Sequence, residues 1–93
     1  MTVIWTEKAY NDLDQIVDYL ANLSPKAAET AIDRIQRAVS LLGEFPNMGT
    51  RVDETGLRKL VISETPYVIF YRVLPEQINI RGVFHASQRR FLE

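Results

Sequence analysis

Tyr67-Val68-Ile69-Phe70-Tyr71-Arg72-Val73 decides how this chain folds. The stretch is β-branched and aromatic almost throughout, with no polar residue recurring every second position. That pattern suits a central strand buried on both faces. Turn signals bound it, Glu64-Thr65-Pro66 before and Leu74-Pro75-Glu76-Gln77 after. Beyond the second turn, Ile78, Ile80, Gly82 and Phe84 alternate with Asn79, Arg81, Val83 and His85, which predicts a final strand. Upstream, after Gly56, Leu60 and Ile62 alternate with Lys59 and Val61, so a further strand precedes the central one.

The period is different in the first half. Val3-Ile4-Trp5 is a short β-prone run, and Thr6 after it is suited to cap a helix. Ala9, Leu13, Ile16, Val17, Leu20 and Leu23 then recur at spacings of three and four, one apolar helical stripe that ends near Asn22. Ser24-Pro25 supplies a new cap and a proline at the first helical position. Ala28, Ala31, Ile32, Ile35, Val39 and Leu42 draw the second stripe, with Gly43 as a stop. So short a link folds the two helices back as a hairpin. Glu44 to Thr50 is a turn-rich crossing segment whose Phe45 and Met48 are expected to tuck under the helices. The expected fold is α+β, order β-α-α-β-β-β, with a helical hairpin packed on a small, mainly antiparallel sheet.

Ninety-three residues make one domain, spanning 1–93. At 46% hydrophobic and 25% charged, the composition is that of a globular chain. There is no cysteine, which removes disulfides, thiolate metal sites and a cysteine nucleophile together. His85 is the single histidine, so no multi-histidine metal site can form, and neither metal nor cofactor is expected. Glycines at 43, 49, 56 and 82 are too scattered for a phosphate-binding loop. The longest apolar run falls far short of a membrane span, and the first residues do not read as a signal peptide. The expected location is the cytoplasm.

Charge is divided unevenly. Residues 1–33 hold two lysines against six acids, while residues 34–93 hold nine basic residues against six acids. An acidic front and a basic back suit a chain whose back half meets something anionic. His85 has the intrinsic pKa of a general acid or base, and equally that of a hydrogen-bonding group at a strand end. Arg81 stands four residues before it, a spacing that puts both on one face of a regular strand. Arg89, Arg90 and Phe91 follow in the polar tail Ala86 to Glu93, residue types that suit phosphates or acidic partners. Arg58 and Lys59 open the upstream strand, where charge also protects an edge.

Several segments taken together resemble the RelE/ParE toxin superfamily, and more closely its ParE branch, the plasmid-stabilisation toxins. They are Trp5-Thr6-x-x-Ala9-x-x-Asp12-Leu13-x-x-Ile16-x-x-Tyr19, the Ser24-Pro25-x-Ala27-Ala28 junction, and Leu42-x-x-Phe45-Pro46-x-x-Gly49. Gly56-x-Arg58-x-Leu60, the Tyr67–Val73 run and Val83-x-His85 complete the set. The resemblance implies the same β-α-α-β-β-β order and a toxin of a type II toxin–antitoxin system, neutralised in a hetero-oligomer by a ParD-like antitoxin. ParE-like members poison DNA gyrase without chemistry of their own. RelE-like members, the alternative, cleave mRNA on the ribosome with basic side chains. A non-toxic binding module retaining the fold is a third reading.

One position separates the branches. RelE-like nucleases usually carry arginine directly after the tyrosine that opens the central strand, where this chain has Tyr67-Val68, and many end in a tyrosine absent here. A valine cannot stabilise a developing phosphorane charge. The resemblance therefore implies gyrase inhibition, with His85, Arg81, Gln88, Arg89, Arg90 and Phe91 meeting the target and Arg58 and Lys59 meeting the antitoxin. No catalytic residue is assigned on that reading. Were the chain a nuclease, His85, Arg81 and Arg72 would carry the reaction.

Overall fold

The computed structural model describes residues 1–87. Its elements are β1 (Thr2–Trp5), α1 (Glu7–Leu23), α2 (Pro25–Glu44), β2 (Thr50–Arg51), β3 (Leu57–Val61), β4 (Tyr67–Val73) and β5 (Gln77–His85). They build one sheet of order β1-β5-β4-β3-β2, antiparallel except where β1 runs parallel to β5. The Tyr67–Val73 strand is central, as its composition demands.

Local chemistry starts both helices. Thr6 accepts from the Ala9 amide at 3.2 Å and donates its hydroxyl to the Ile80 carbonyl at 2.8 Å, so one side chain caps α1 and ties it to β5. Ser24 accepts from Ala27 N–H at 3.3 Å, and Pro25 follows where a missing amide costs nothing. The stripes then close on the sheet. Tyr67, Ile69 and Tyr71 of β4 share a core with Leu60, Ile62, Ile78, Ile80 and Val83, covered by Ala9, Ile35 and Leu42. Val68 and Phe70, on the alternate face of β4, are buried as well.

Tyr71 ties the sheet to the crossing segment. Its side chain is fully buried, and its hydroxyl donates to the Pro46 carbonyl at 2.8 Å while accepting the Gly49 amide at 2.9 Å. Burial pushes the phenol pKa up, so the donor proton stays in place. Across the ladder from Tyr71, Arg58 donates Nη1 to the carbonyls of Gly49 at 2.6 Å and Asn47 at 3.2 Å. A side chain at Gly49 would stand 2.8 Å from the Tyr71 hydroxyl and from the Lys59 carbonyl; only glycine fits.

The structure differs from the sequence reading at four points, the first two of them set by this anchoring. Thr50 and Arg51, held beside β3, form an additional two-residue strand. The crossing segment is gripped by its backbone, so Phe45 and Met48 point outward, 59% and 43% exposed, instead of tucking under the helices. Gly43 does not stop α2, which runs to Glu44 and is closed by Phe45 N–H on the Leu41 carbonyl. Leu23, at the far end of the α1 stripe, lies beyond the sheet and is exposed.

Tyr71→Phe leaves the Gly49 amide and the Pro46 carbonyl without their partner. It is expected to cost about 1–3 kcal/mol, the range for orphaned buried polar groups. Urea unfolding followed by circular dichroism checks this, with an unchanged slope and a lower midpoint.

Candidate functional site

β5 is not a regular strand. Phe70 pairs with Gly82 and Tyr71 with Ile80, so Arg81 is an extra residue with no partner across the ladder. The bulge reverses the side-chain alternation beyond it. Val83 joins Ile78 and Ile80 in the core, whereas unbroken alternation would have put it opposite them. The four-residue spacing of Arg81 and His85 therefore gives them no common face. Gly82 permits the kink, because a Cβ there would lie 2.7 Å from the Phe84 ring and 3.1 Å from an Asp12 carboxylate oxygen.

Asp12 covers the edge that the bulge exposes. β1 pairs with β5 only as far as Ile80, and beyond that point Asp12 Oδ2 accepts the Val83 amide at 3.1 Å. Lys8, one helical turn earlier, bonds the same oxygen at 2.8 Å and holds its ammonium 4.4 Å from the Phe84 ring centroid. Between α1 and the β4–β5 hairpin lies a groove of about 530 Å³. Gln15, Ile16, Tyr19 and Leu20 form one wall, and Pro66, Tyr67, Val83 and His85 the other. His85 is exposed at its mouth, paired across the ladder with Tyr67 and meeting that ring edge-on at 5.7 Å.

Tyr67 and His85 bring a phenol and an imidazole to the groove. Burial, and next the neighbouring Tyr19, push the Tyr67 phenol pKa up, so it keeps its proton at neutral pH. The Ser87 amide donates to His85 Nδ1 at 3.1 Å, with the Ser87 hydroxyl 2.7 Å from the same nitrogen. In the neutral imidazole that bond puts the ring proton on Nε2.

The other sequence-derived candidates are dispersed. Arg72 lies five residues along β4 from Tyr67, roughly 17 Å at the rise of a strand, and alternates to the opposite face. Its Nη2 donates to Thr55 Oγ1 at 2.9 Å. His85, Arg81 and Arg72 are thus not assembled into one site. Arg58 is engaged with the crossing segment, as described above, and Lys59 faces away from the helices beside Phe70. Gln88, Arg89, Arg90 and Phe91 lie outside the described residues. Sequence reading did not single out Tyr19, Gln15 or Tyr67 as partners of His85. The available signal was Gly82 inside a strand pattern, which marks a bulge and so a reversal of faces. Among the described residues no cluster of three metal-ligating side chains occurs, and no helix is long and apolar enough to cross a membrane.

Comparison with known proteins gives concordant matches. Residues 3–90 match the family model for the ParE toxin of the type II toxin–antitoxin system, parDE. Toxin RelE2 of Caulobacter vibrioides is 38% identical over 86 residues, covering 92% of this chain and 96% of that protein. Toxin RelE3 of the same organism is 33% identical, covering 89% of this chain and 91% of its own length. Among solved structures, a chromosomal ParDE toxin–antitoxin system from P. aeruginosa superposes with a TM-score of 0.79 at 33% identity, covering 91% of this chain and 95% of that one.

The turn that holds Arg72 yields a pH prediction. Asp53 has its pKa lowered chiefly by the Thr55 hydroxyl at 2.7 Å, helped by the Thr55 and Leu57 amides and the charge of Arg72, against a desolvation penalty. A depressed folded pKa stabilises above the ordinary carboxylate range, and that contribution is lost as pH falls through the folded value. Thr55→Val should move the Asp53 midpoint up toward the ordinary value of about 3.9, as read by carboxyl-detected NMR titration.

Proposed function

From the membership of this chain in the ParE toxin family of type II toxin–antitoxin systems, we propose that it inhibits DNA gyrase and is neutralised by a ParD-like antitoxin. The relative from P. aeruginosa is a ParDE system, and that likeness supports the antitoxin as partner. The observation that carries the gyrase reading is Val68. It is 5% exposed and faces Val61 and Phe84 across the ladders, so an apolar side chain occupies the position where the nuclease branch needs an arginine. The dispersal of His85, Arg81 and Arg72 supports the same reading, since phosphoryl chemistry requires its charge-stabilising donors held around one reacting centre.

Target contact is assigned to His85 and Arg81 together with the tail residues Gln88, Arg89, Arg90 and Phe91, as the sequence reading has them. These arginines suit the anionic surface of a gyrase–DNA assembly. The antitoxin is assigned to the strand opened by Arg58 and Lys59, which β2 pairs against, together with the helical hairpin. Because Arg58 also clamps the crossing segment, Lys59 is the cleaner probe of that interface.

The alternative of ribosome-dependent mRNA cleavage rests on relatives named RelE and on His85, whose ring is oriented by Ser87. Induced expression without antitoxin separates the readings. Loss of gyrase supercoiling activity with intact messages is expected. Codon-position cleavage that disappears in His85→Ala would overturn the gyrase reading, and the absence of growth arrest would leave the non-toxic module. Arg89→Glu with Arg90→Glu should abolish toxicity while antitoxin pull-down persists.

A further inference from the structure

Two tyrosines of β4 belong to the core, and the fold uses only one of their hydroxyls. Tyr71 is bonded to Pro46 and Gly49, whereas the Tyr67 hydroxyl has no hydrogen-bond partner among the described residues. Tyr67 is only 6% exposed, yet its oxygen is not sealed in. Among the described residues, Arg72 Nε alone is an unbonded side-chain nitrogen or oxygen out of solvent contact. The phenol oxygen is therefore open to whatever occupies the groove between α1 and the β4–β5 hairpin, which Tyr67 lines. Packing fixes the ring, so the hydroxyl is presented in one place, as a recognition group must be.

Around that hydroxyl the groove is aromatic and anionic. Tyr19 belongs to the facing wall, 64% exposed and close enough to act on the Tyr67 phenol. Gln15 lies one turn before it, and Asp18 is three residues past Gln15, a spacing that makes them neighbours on the surface of α1. Asp18 is exposed and has no ion-pair partner among the described residues. Asp12 supplies the one carboxylate of the lining, and Lys8 bonds it. No described lysine or arginine lines the groove. The face of a tyrosine ring attracts positive charge, and phenol and amide oxygens accept N–H donors. A guanidinium meets all of these together. It is planar, stacks on aromatic faces and carries five donors, whereas an ammonium is a compact, strongly hydrated point charge. The acidic face of α1 disfavours a phosphate or carboxylate.

We propose that this groove binds the side chain of an arginine presented by the toxin's protein target, stacked on Tyr19 and donating to the Tyr67 hydroxyl, with Asp18 at the rim. His85, which the reading above assigns to the target, stands at the mouth of the same groove, so the groove goes to the same partner. The inference rests on that reading and deepens it. The basic residues assigned to the target suit the phosphates of a protein–DNA assembly, and the groove takes a cation from its protein part.

Two measurements on the full chain test this. In an NMR titration with N-acetyl-arginine methylamide, saturable shifts are expected at the rings of Tyr19, Tyr67 and His85. The citrulline counterpart, equal in shape but uncharged, should leave them in place. Tyr19→Leu should weaken the arginine response about tenfold at an unchanged melting temperature, and Tyr19→Phe should retain it. Asp18→Asn should weaken it about threefold. In gyrase supercoiling assays, Tyr19→Leu should raise the toxin concentration needed for inhibition about tenfold while antitoxin pull-down persists. An equal response to citrulline, or no response in the groove, overturns the inference and leaves the toxin reading intact. Unaltered gyrase inhibition by Tyr19→Leu, or a loss of antitoxin binding in its place, also overturns it. A wild-type chain that leaves gyrase active overturns both the gyrase reading and this assignment. The arginine titration, which needs no gyrase, tells that failure apart from failure of the groove.

Discussion

The buried hydroxyl of Tyr71 is the constraint on which the rest of this small domain depends. A phenol in the centre of a five-stranded sheet carries a polar group that must be satisfied away from water. It is satisfied by the backbone of the segment that crosses from α2 to the sheet, at Pro46 and Gly49. That pairing fixes the height of the crossing segment over β3, brings Gly49 against the Lys59 carbonyl, and aligns Thr50 and Arg51 as β2. The shortness of β2 follows, and with it the unpaired edge at Val61.

A second constraint shapes the opposite side of the sheet. The bulge at Arg81 carries β5 past the end of β1, which leaves backbone groups exposed on its outer edge. Asp12 answers at Val83, and Lys8 neutralises the carboxylate while covering Phe84. The acidic character of α1 is thus partly structural. The groove containing Tyr19, Tyr67 and His85 is what remains between α1 and the hairpin once that edge is capped. Both ends of the sheet are thus shaped where a ladder runs out.

Charge placement supports a division of labour. Of the basic residues in the second half, Arg58 and Arg72 are bound to nearby loops, Arg58 to the crossing segment and Arg72 to the Asp53–Thr55 turn. Arg34 and Arg37 line the groove between α2 and β3, and Arg81 is the extra residue of the bulge. A count of charges along the chain does not separate these roles, because an arginine that grips a carbonyl and one that pairs with a carboxylate have the same sequence signature.

By itself the sequence determined the elements other than the two-residue β2, their order and the family. Periodicity is a local property: the stripe from Ala9 to Leu20, the Ser24-Pro25 junction and the run Tyr67–Val73 specify helix, hairpin and central strand from near-neighbour spacing. Val68, in place of a donor, is likewise legible without coordinates. The tertiary structure decided which side chains meet. The outward turn of Phe45 and Met48 depends on a hydroxyl more than 20 residues away, and the separation of Arg81 from the His85 face depends on one unpaired residue that inverts the alternation beyond it. Such outcomes are settled by hydrogen-bond satisfaction between distant segments, which no pattern confined to one segment encodes.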